Sequence, residues 1–194
     1  RQMLWYAIRL FFDNGGGECY VVSTGNYQIS LTLSALSDGV QAAAKVDEIT
    51  LLIAPESVLL ATADYQQIVN LMLSQCDQLA DRMALFDLPD GDKSLNTARL
   101  STNRANLGNN HLDFGACYYP FLTTTQRWQS ARNQQHITVS LDNGKTTQLS
   151  QVKADNPEQF TVIESLLADL YVCLPASVAV AGAIALVDAS EGVW

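Results

Sequence analysis

The amino-acid sequence predicts an α/β fold with a mainly parallel sheet flanked by helices. Residues 49–54 and 83–88 are mostly apolar runs, each closed by a proline, which is typical of strands covered on both faces. Between them, residues 63–81 carry apolar side chains at helical spacing. This order of strand, helix and strand predicts a right-handed parallel crossover.

The start of the chain predicts a helix followed by a strand. Apolar residues repeat there at helical spacing, namely Leu4, Ala7, Ile8 and Phe11. Asn14 and the glycines at 15–17 favour a left-handed cap that ends this helix. Residues 19–22 are typical of a short buried strand of the same parallel sheet, and the polar loop 23–26 ends it. Residues 31–46 favour a second helix.

The middle of the chain continues the alternation of helices and strands. In the helix predicted over 63–81, one stripe is expected to face inward: Ile68, Leu71, Met72, Cys76 and Leu79. Residues 95–107 favour a further helix, and the aromatic-rich run 115–122 favours a strand. We therefore expect the alternation to extend as far as residue 122.

The composition becomes polar after Arg127, and a hairpin is predicted there. Apolar and hydroxyl side chains alternate over residues 137–141, and Asn143 with Gly144 supplies the pair that a type I′ turn prefers. The sequence thus predicts a small β-hairpin excursion near residues 136–150, within an insertion over 127–150.

Two helices are predicted near the end of the chain. Asn156, Pro157 and Gln159 form an N-terminal capping pattern, and the helix that follows is expected to bury Phe160, Ile163, Leu167 and Leu170. Residues 174–187 predict a buried helix, which is shorter than the ~20 residues that cross a bilayer. No export signal is visible. We expect one core domain over residues 1–194, as a fragment of a longer chain, because the sequence begins inside an amphipathic pattern.

Composition and charge argue against nucleic acid as a partner. Hydrophobic residues make up 48% of the chain, enough for a sizeable core, whereas only 16% are charged. Twenty acidic residues oppose 11 basic ones, and the formal net charge of -9 repels phosphate backbones. A surface poor in charge suits burial against neighbouring subunits.

The cysteines predict neither a metal site nor a disulfide. They show no C-x-x-C pair and no histidine at ligand spacing, and they lie tens of residues apart at Cys19, Cys76, Cys117 and Cys173. Because each lies in an apolar run, we expect buried, reduced thiols.

Three aspartates are the strongest candidates for catalysis. Asp87 ends a predicted strand, and Asp90 and Asp92 follow it, so they could hold a divalent cation or accept a phosphoryl group at the carboxyl edge of the sheet. The alternative is that Asp87 caps a turn while Asp90 and Asp92 lie in solvent. With the loop 23–26, Asp87 supports an alternative function, a doubly wound small-molecule-binding enzyme.

Other candidate groups lack the context that chemistry requires. The glycines at 15–17 follow a helix, whereas a phosphate cradle precedes one. No nucleophile motif surrounds His111, His136, Ser23 or Ser177. Cys117 lies within a predicted strand and not at a helix start, where a thiolate would be stabilised. Glu164 and Asp169 are expected on a solvated helix face. We therefore predict no catalytic, cofactor-binding or metal-binding residues, and no enzyme activity.

Aromatic residues favour packing over ligand stacking. The acidic balance of the chain argues against base stacking by the aromatic residues Tyr118, Tyr119, Phe121 and Trp128, and no arginine is interleaved among residues 118–121. Trp5 and Trp194 lie near the two ends, where further chain is expected to cover them.

Several passages resemble, in the same order, the contractile tail sheath proteins of bacteriophages and related contractile injection systems. The most extensive is residues 7–22, Ala-Ile-Arg-Leu-Phe-Phe-Asp-Asn-Gly-Gly-Gly-Glu-Cys-Tyr-Val-Val. The others are residues 51–56, 76–89, 115–122, 175–182 and the final Glu-Gly-Val-Trp at 191–194. The usual Pro-Pro-Ser-Gly turn of the family is replaced here by Leu174-Pro175-Ala176-Ser177.

The resemblance implies a structural subunit without a cofactor. Such subunits assemble into hexameric rings and a helical sheath around an inner tube, joined to a baseplate, and contraction drives the tube through a target envelope. It implies a place in a phage tail or in a contractile particle assembled in the bacterial cytoplasm, with no nucleic acid bound and no membrane insertion. Family members are longer, with an outer domain before this core and a tube-facing segment after it. A non-contractile scaffold protein is a second alternative.

Overall fold

The computed structural model describes residues 3–26, 30–128, 137–141 and 144–192, and its fold is α/β. The described helices are α1 (Met3–Asp13), α2 (Leu33–Ala43), α3 (Thr62–Leu79), α4 (Thr97–Leu107), α5 (Leu149–Asp155), α6 (Pro157–Ala168) and α7 (Ala176–Glu191), with short 3-10 turns at Pro55–Leu59 and Leu112–Phe114. The strands are β1 (Leu51–Ile53), β2 (Met83–Asp87), β3 (Gly115–Tyr118), β4 (Leu122–Arg127), β5 (Thr138–Ser140), β6 (Thr146–Gln148) and β7 (Tyr171–Leu174).

A three-stranded parallel sheet in the order β1-β2-β3 confirms the predicted fold class. Leu51 pairs with Met83, and Ala84 pairs with Gly115. The central strand β2 is buried from Ala84 to Asp87, as expected of a strand covered on both faces. Helix α3 makes the crossover from β1 to β2.

Residues 19–22 do not form the predicted strand. They are extended without a strand assignment, and Tyr20, Val21 and Val22 are 60%, 53% and 40% exposed. The place beside β2 is taken by β3 instead. The segment runs along α2, where Thr24 and Val22 approach Gly39. Apolar, β-branched residues favour a strand only where a sheet edge is available to pair with them.

The aromatic-rich run 115–122 forms a shorter strand than predicted. β3 ends at Tyr118, and β4 begins at Leu122. Pro120 lies between them, and proline has no backbone N–H to donate to a strand ladder.

Helix α3 is the centre of the main core. Five of its side chains are fully buried: Ile68, Val69, Met72, Leu73 and Cys76. The predicted inward stripe is thus confirmed at Ile68, Met72 and Cys76, whereas Leu79 in the last turn is 39% exposed. Burying one such side chain stabilises the fold by about 1.5–3 kcal/mol, so this helix supplies a large share of the hydrophobic free energy.

Helices α1 and α7 pack closely against each other. A Cβ on Gly182 would lie 2.4 Å from the backbone oxygen of Phe11, so only glycine allows this approach. The glycine cluster ends α1 as predicted: Gly15 has a φ of +92° and donates its N–H to the Phe12 carbonyl. The first half of α7 is buried as expected, but Leu186 and Val187 are exposed.

The chain divides into two compact units, of which the second is Thr123–Cys173. Within it, β5 and β6 form the predicted antiparallel hairpin, with Thr138 opposite Gln148. Gly144 has the expected positive φ, whereas Asn143 and His136 lie outside the described residues. Strands β4 and β7 pair with each other, and β7 was not predicted.

A small core joins the hairpin to the helices of the second unit. Leu149, Val152 and Phe160 are buried, with Ile163 and Leu167 packed against them. Asn156 caps α6 as predicted, accepting from the N–H of Gln159 at 3.1 Å. The predicted burial of Leu170 is wrong, because α6 ends at Ala168 and Leu170 is 55% exposed.

A buried arginine fixes the end of α2. The Arg82 side chain is fully buried and donates to the carbonyls of Ala43 at 3.0 Å and Val46 at 3.2 Å. It also forms two hydrogen bonds with the Asp81 carboxylate, at 2.7 and 3.2 Å. A guanidinium at a helix C-terminus satisfies carbonyls that the helix leaves unpaired and complements its dipole.

We expect Arg82→Ala to lower the free energy of unfolding by about 2–4 kcal/mol, because two backbone acceptors lose their donor in a buried site. Urea denaturation followed by circular dichroism measures the change. The exposed Arg104→Ala is the matched control and should alter stability by less than about 0.5 kcal/mol. Equal stability of the two variants would contradict this role of Arg82.

Candidate functional site

The carboxyl edge of the parallel sheet is the place where this fold class usually binds ligands. β1 ends at Ile53 and is followed by the turn that contains Glu56, while β2 ends at Asp87. Two acidic side chains therefore lie at neighbouring strand ends. Their partners decide between a reacting centre and a structural role.

Asp87 caps helix α7 from a distance in sequence. It is 1% exposed, and its Oδ1 accepts from the backbone N–H of Ser177 at 3.0 Å. Pro175, at the cap position of α7, provides no side-chain hydrogen bond. The carboxylate thus replaces the missing cap at the positive end of a 16-residue helix.

The backbone of Asp87 is held by a second helix. The hydroxyl of Tyr65, on α3, donates to the Asp87 carbonyl oxygen at 2.8 Å. Tyr65 is itself only 1% exposed. The end of β2 is therefore tied to both α7 and α3.

Burial governs the protonation of this cluster. It raises the pKa of the Asp87 carboxyl, and hydrogen bonds from Ser177 and Ala176 oppose the shift only in part. Burial likewise raises the pKa of Tyr65 far above its ordinary value, with Cys117 and Asp87 adding to the effect. The Tyr65 hydroxyl therefore stays protonated at neutral pH, where it is neither a nucleophile nor a general base.

Cys117 lies on β3 opposite Phe86, and its residue surface is partly exposed. Crowding by protein atoms, followed by the Asp87 carboxylate, nevertheless raises its pKa to about 12. Both effects disfavour the thiolate. A thiol of this kind is not activated for nucleophilic attack.

Glu56 caps the other helix of the pair. Its Oε1 accepts from the N–H groups of Met3 and Leu4, each at 3.3 Å. These are orphan donors of the first turn of α1, which a carboxylate satisfies well. The two acidic residues at the carboxyl edge thus hold the starts of α1 and α7.

Asp90 and Asp92 are exposed. This agrees with the alternative interpretation, in which both lie in solvent and hold no metal ion. Asp90 has a φ of +59° and pairs with Lys93 at 2.8 Å. Asp87, by contrast, caps a helix and not the turn that the alternative assigned to it. Across the described ranges, no group of three or more His, Cys, Asp or Glu side chains could hold a metal ion.

Aromatic residues close the loop that follows β2. The ring of Phe121 lies against Gly91, whose Cβ would clash with it at 2.2 Å, and the Phe121 N–H donates to the Gly91 carbonyl. The Tyr119 hydroxyl donates to the Lys93 carbonyl. Packing and backbone hydrogen bonds therefore occupy the aromatic side chains. In the second unit, Trp128 donates its backbone N–H to the Leu170 carbonyl.

Two residues of the loop 23–26 have contacts with α2 and within the loop itself. Thr24 approaches Gly39 of α2, and the Ser23 hydroxyl donates to the Gly25 carbonyl at 3.5 Å. Asp87 instead contacts α7 and α3.

The other candidate residues are found in ordinary settings. His111 pairs with Asp77 at 3.1 Å, and the exposed Asp169 pairs with Arg127 at 2.9 Å. Trp5 stacks under Arg9, whereas Trp194 and His136 lie outside the described part of the chain.

The predicted burial of the thiols is correct for Cys76 and wrong for the other three cysteines. Cys19 lies in the extended segment 19–22, and Cys117 and Cys173 lie on short strands. Apolar neighbours in sequence do not bury a residue when the strand is short or lies at a sheet edge.

A shallow cavity of about 370 Å³ lies in the second unit. It is lined by hydroxyl and amide side chains: Thr138, Thr146, Thr147, Gln148, Ser150 and Gln151. Since these described lining residues include no ionisable group, they offer no acid or base for catalysis.

The roles of Glu56 and Ser177 were not predicted. One signal was present in the sequence: α7 begins Pro-Ala-Ser, without Ser, Thr, Asp or Asn at the cap position itself. A helix that lacks a local cap needs a distant acceptor for its first N–H groups.

A scan against protein-family models and a search of curated proteins gave no match. Within the described residues, no helix combines the length and the apolar character needed to cross a bilayer.

We expect Glu56→Ala to lower the free energy of unfolding by about 0.5–2 kcal/mol, because two N–H groups of α1 lose their acceptor. Glu56→Gln keeps a side-chain carbonyl oxygen and should lose less. Chemical denaturation of both variants, beside the exposed control Glu18→Ala, measures the difference. A loss no larger than that of Glu18→Ala would show that Glu56 does not anchor α1.

Proposed function

We propose that this chain is the core of a structural subunit of a contractile tail sheath. In this role, copies associate into hexameric rings and a helical sheath around an inner tube, in contact with a baseplate. The particle is a phage tail or a contractile particle assembled in the bacterial cytoplasm. The collinear passages that resemble sheath proteins give the proposal its specific content.

The observation that carries the non-enzymatic part of the proposal is the use of the carboxyl edge. Asp87 and Glu56 each bind the N-terminus of a helix, and Phe121 packs on the loop after β2. In doubly wound enzymes this edge faces a ligand. Here the same acidic positions support a rigid joint between the sheet and the α1 and α7 pair.

Exposed apolar side chains on each unit support association with neighbours. In the first unit these are Phe12, Leu186 and Val187, and in the second Val162, Leu166 and Leu170. All are between 50% and 65% exposed. Apolar side chains of this kind gain free energy when another subunit covers them, and the low charge of the chain reduces the desolvation needed.

A rigid core suits the proposed mechanism. Identical subunits that meet through head-to-tail contacts form an open helix. Contraction shifts whole subunits as rigid bodies and releases energy stored in a metastable extended lattice, without nucleotide hydrolysis. The anchored helices would keep the core intact while its surfaces change partners.

We expect the full-length protein that contains this chain to form tubes or sheath-like polymers, visible by negative-stain electron microscopy. Co-expression with the inner tube protein and baseplate should increase their yield and length. Persistent monomers under these conditions would contradict the proposal, and small closed oligomers would favour the non-contractile scaffold.

We expect Mg²⁺, Mn²⁺, ATP and NAD⁺ to leave the melting temperature within about 1 °C of the ligand-free value, because a specific ligand must stabilise the folded state. Differential scanning fluorimetry provides the measurement. A ligand concentration of about 1 mM clearly raises the melting temperature when the dissociation constant is micromolar. A rise that Asp87→Asn abolishes would instead support the small-molecule enzyme.

A further inference from the structure

Asp87 and Ser177 carry two buried oxygen atoms whose hydrogen-bonding capacity is unused. Asp87 Oδ2 and Ser177 Oγ have no hydrogen-bond partner among the described residues, although both residues are 1% exposed or less. Only Oδ1 of the carboxylate accepts, from the N–H of Ser177. A buried carboxylate with one oxygen unsatisfied is costly, because it is charged and can only accept.

We propose that Asp87 takes up a proton from solvent in the folded chain, and that the folded chain is more stable with the neutral acid at the start of α7 than with the buried carboxylate. Protonation of Oδ2 removes a full charge from a buried site and converts an unsatisfied acceptor into an O–H donor. Oδ1 remains free to accept from Ser177. The inference concerns the fold of the chain and is independent of sheath assembly.

Among the described residues, no Lys, Arg or His forms an ion pair with the Asp87 carboxylate. The ionisable groups that face Asp87 are Tyr65 from α3 and Cys117 from β3, and each would add negative charge if it ionised. From α7 it receives the N–H of Ser177 at 3.0 Å and the partial positive charge of the helix end. These favour the charged form, but burial is the larger effect and raises the pKa.

The direction of the pH dependence follows from linkage. A carboxyl whose pKa is higher in the folded than in the unfolded chain binds more protons when folded. Its contribution to stability is fully present below about pH 4, the ordinary value for Asp. The contribution is lost as pH rises through the folded pKa. Asp87 should therefore favour the folded chain under mildly acidic conditions.

The first test compares the wild-type chain with Asp87→Asn, which imitates the neutral acid at every pH. The difference between their melting temperatures should be small near pH 4 and increase as pH rises, with the variant more stable at pH 7–8. The difference at pH 7–8 should be about 3–5 °C for each pH unit that separates the folded from the unfolded pKa of Asp87. Asp92→Asn changes an exposed carboxylate of the same loop and should follow the wild type. A gap that does not change with pH, or that narrows as pH rises, overturns the proposal.

The second test needs no variant to fold. In the wild-type chain, ¹³C NMR of the Asp87 side-chain carboxyl reports its protonation directly, with Asp87→Asn used only to assign the signal where it folds. A titration midpoint above that of the exposed Asp92 in the same spectra supports the proposal. A midpoint equal to or below that of Asp92 overturns it.

Discussion

The capping of two helix N-termini by carboxylates at one edge of the sheet is the interaction on which the first unit depends. Parallel strands end at the same edge, so Glu56 after β1 and Asp87 at the end of β2 are placed side by side by topology alone. Each accepts from backbone N–H groups that a helix cannot satisfy by itself. Because α1 and α7 also pack on each other at Gly182, fixing both starts fixes the pair.

Strand β2 is framed by complementary charges. Arg82 immediately precedes it and binds carbonyls at the end of α2, while Asp87 ends it and binds the N–H of Ser177 at the start of α7. A cation at a helix C-terminus and an anion at a helix N-terminus both agree with the helix dipole. The central strand therefore connects helices as well as strands. Gln75 of α3 adds a further hydrogen bond to α2, because its side-chain amide donates to the Val40 carbonyl at 2.6 Å.

The sequence predicted the fold class and most helices, because apolar periodicity and caps are local signals. The glycine cluster after α1 and the cap at Asn156 lie where the pattern placed them. Residues 19–22 show the limit of that reasoning, since this segment of β-forming side chains runs along α2 and pairs with none of the described strands. Strand β7 and the exposure of Leu170 were missed for a related reason: both depend on partners distant in sequence.

The sequence predicted the position of Asp87 at the carboxyl edge of the sheet, but it did not predict the role of Asp87 as a helix cap. Asp87 was recognised as a strand-end carboxylate, but nothing in its neighbourhood of sequence indicated that Ser177, 90 residues away, would be its partner. A carboxylate at this edge can act on a substrate only where it faces a space that the substrate can enter. At Asp87 the neighbours are a helix start, a tyrosine and a thiol, all of which bury the group. An aspartate at the end of a parallel strand can therefore serve as a distant helix cap where, as in α7, the helix has no local cap of its own.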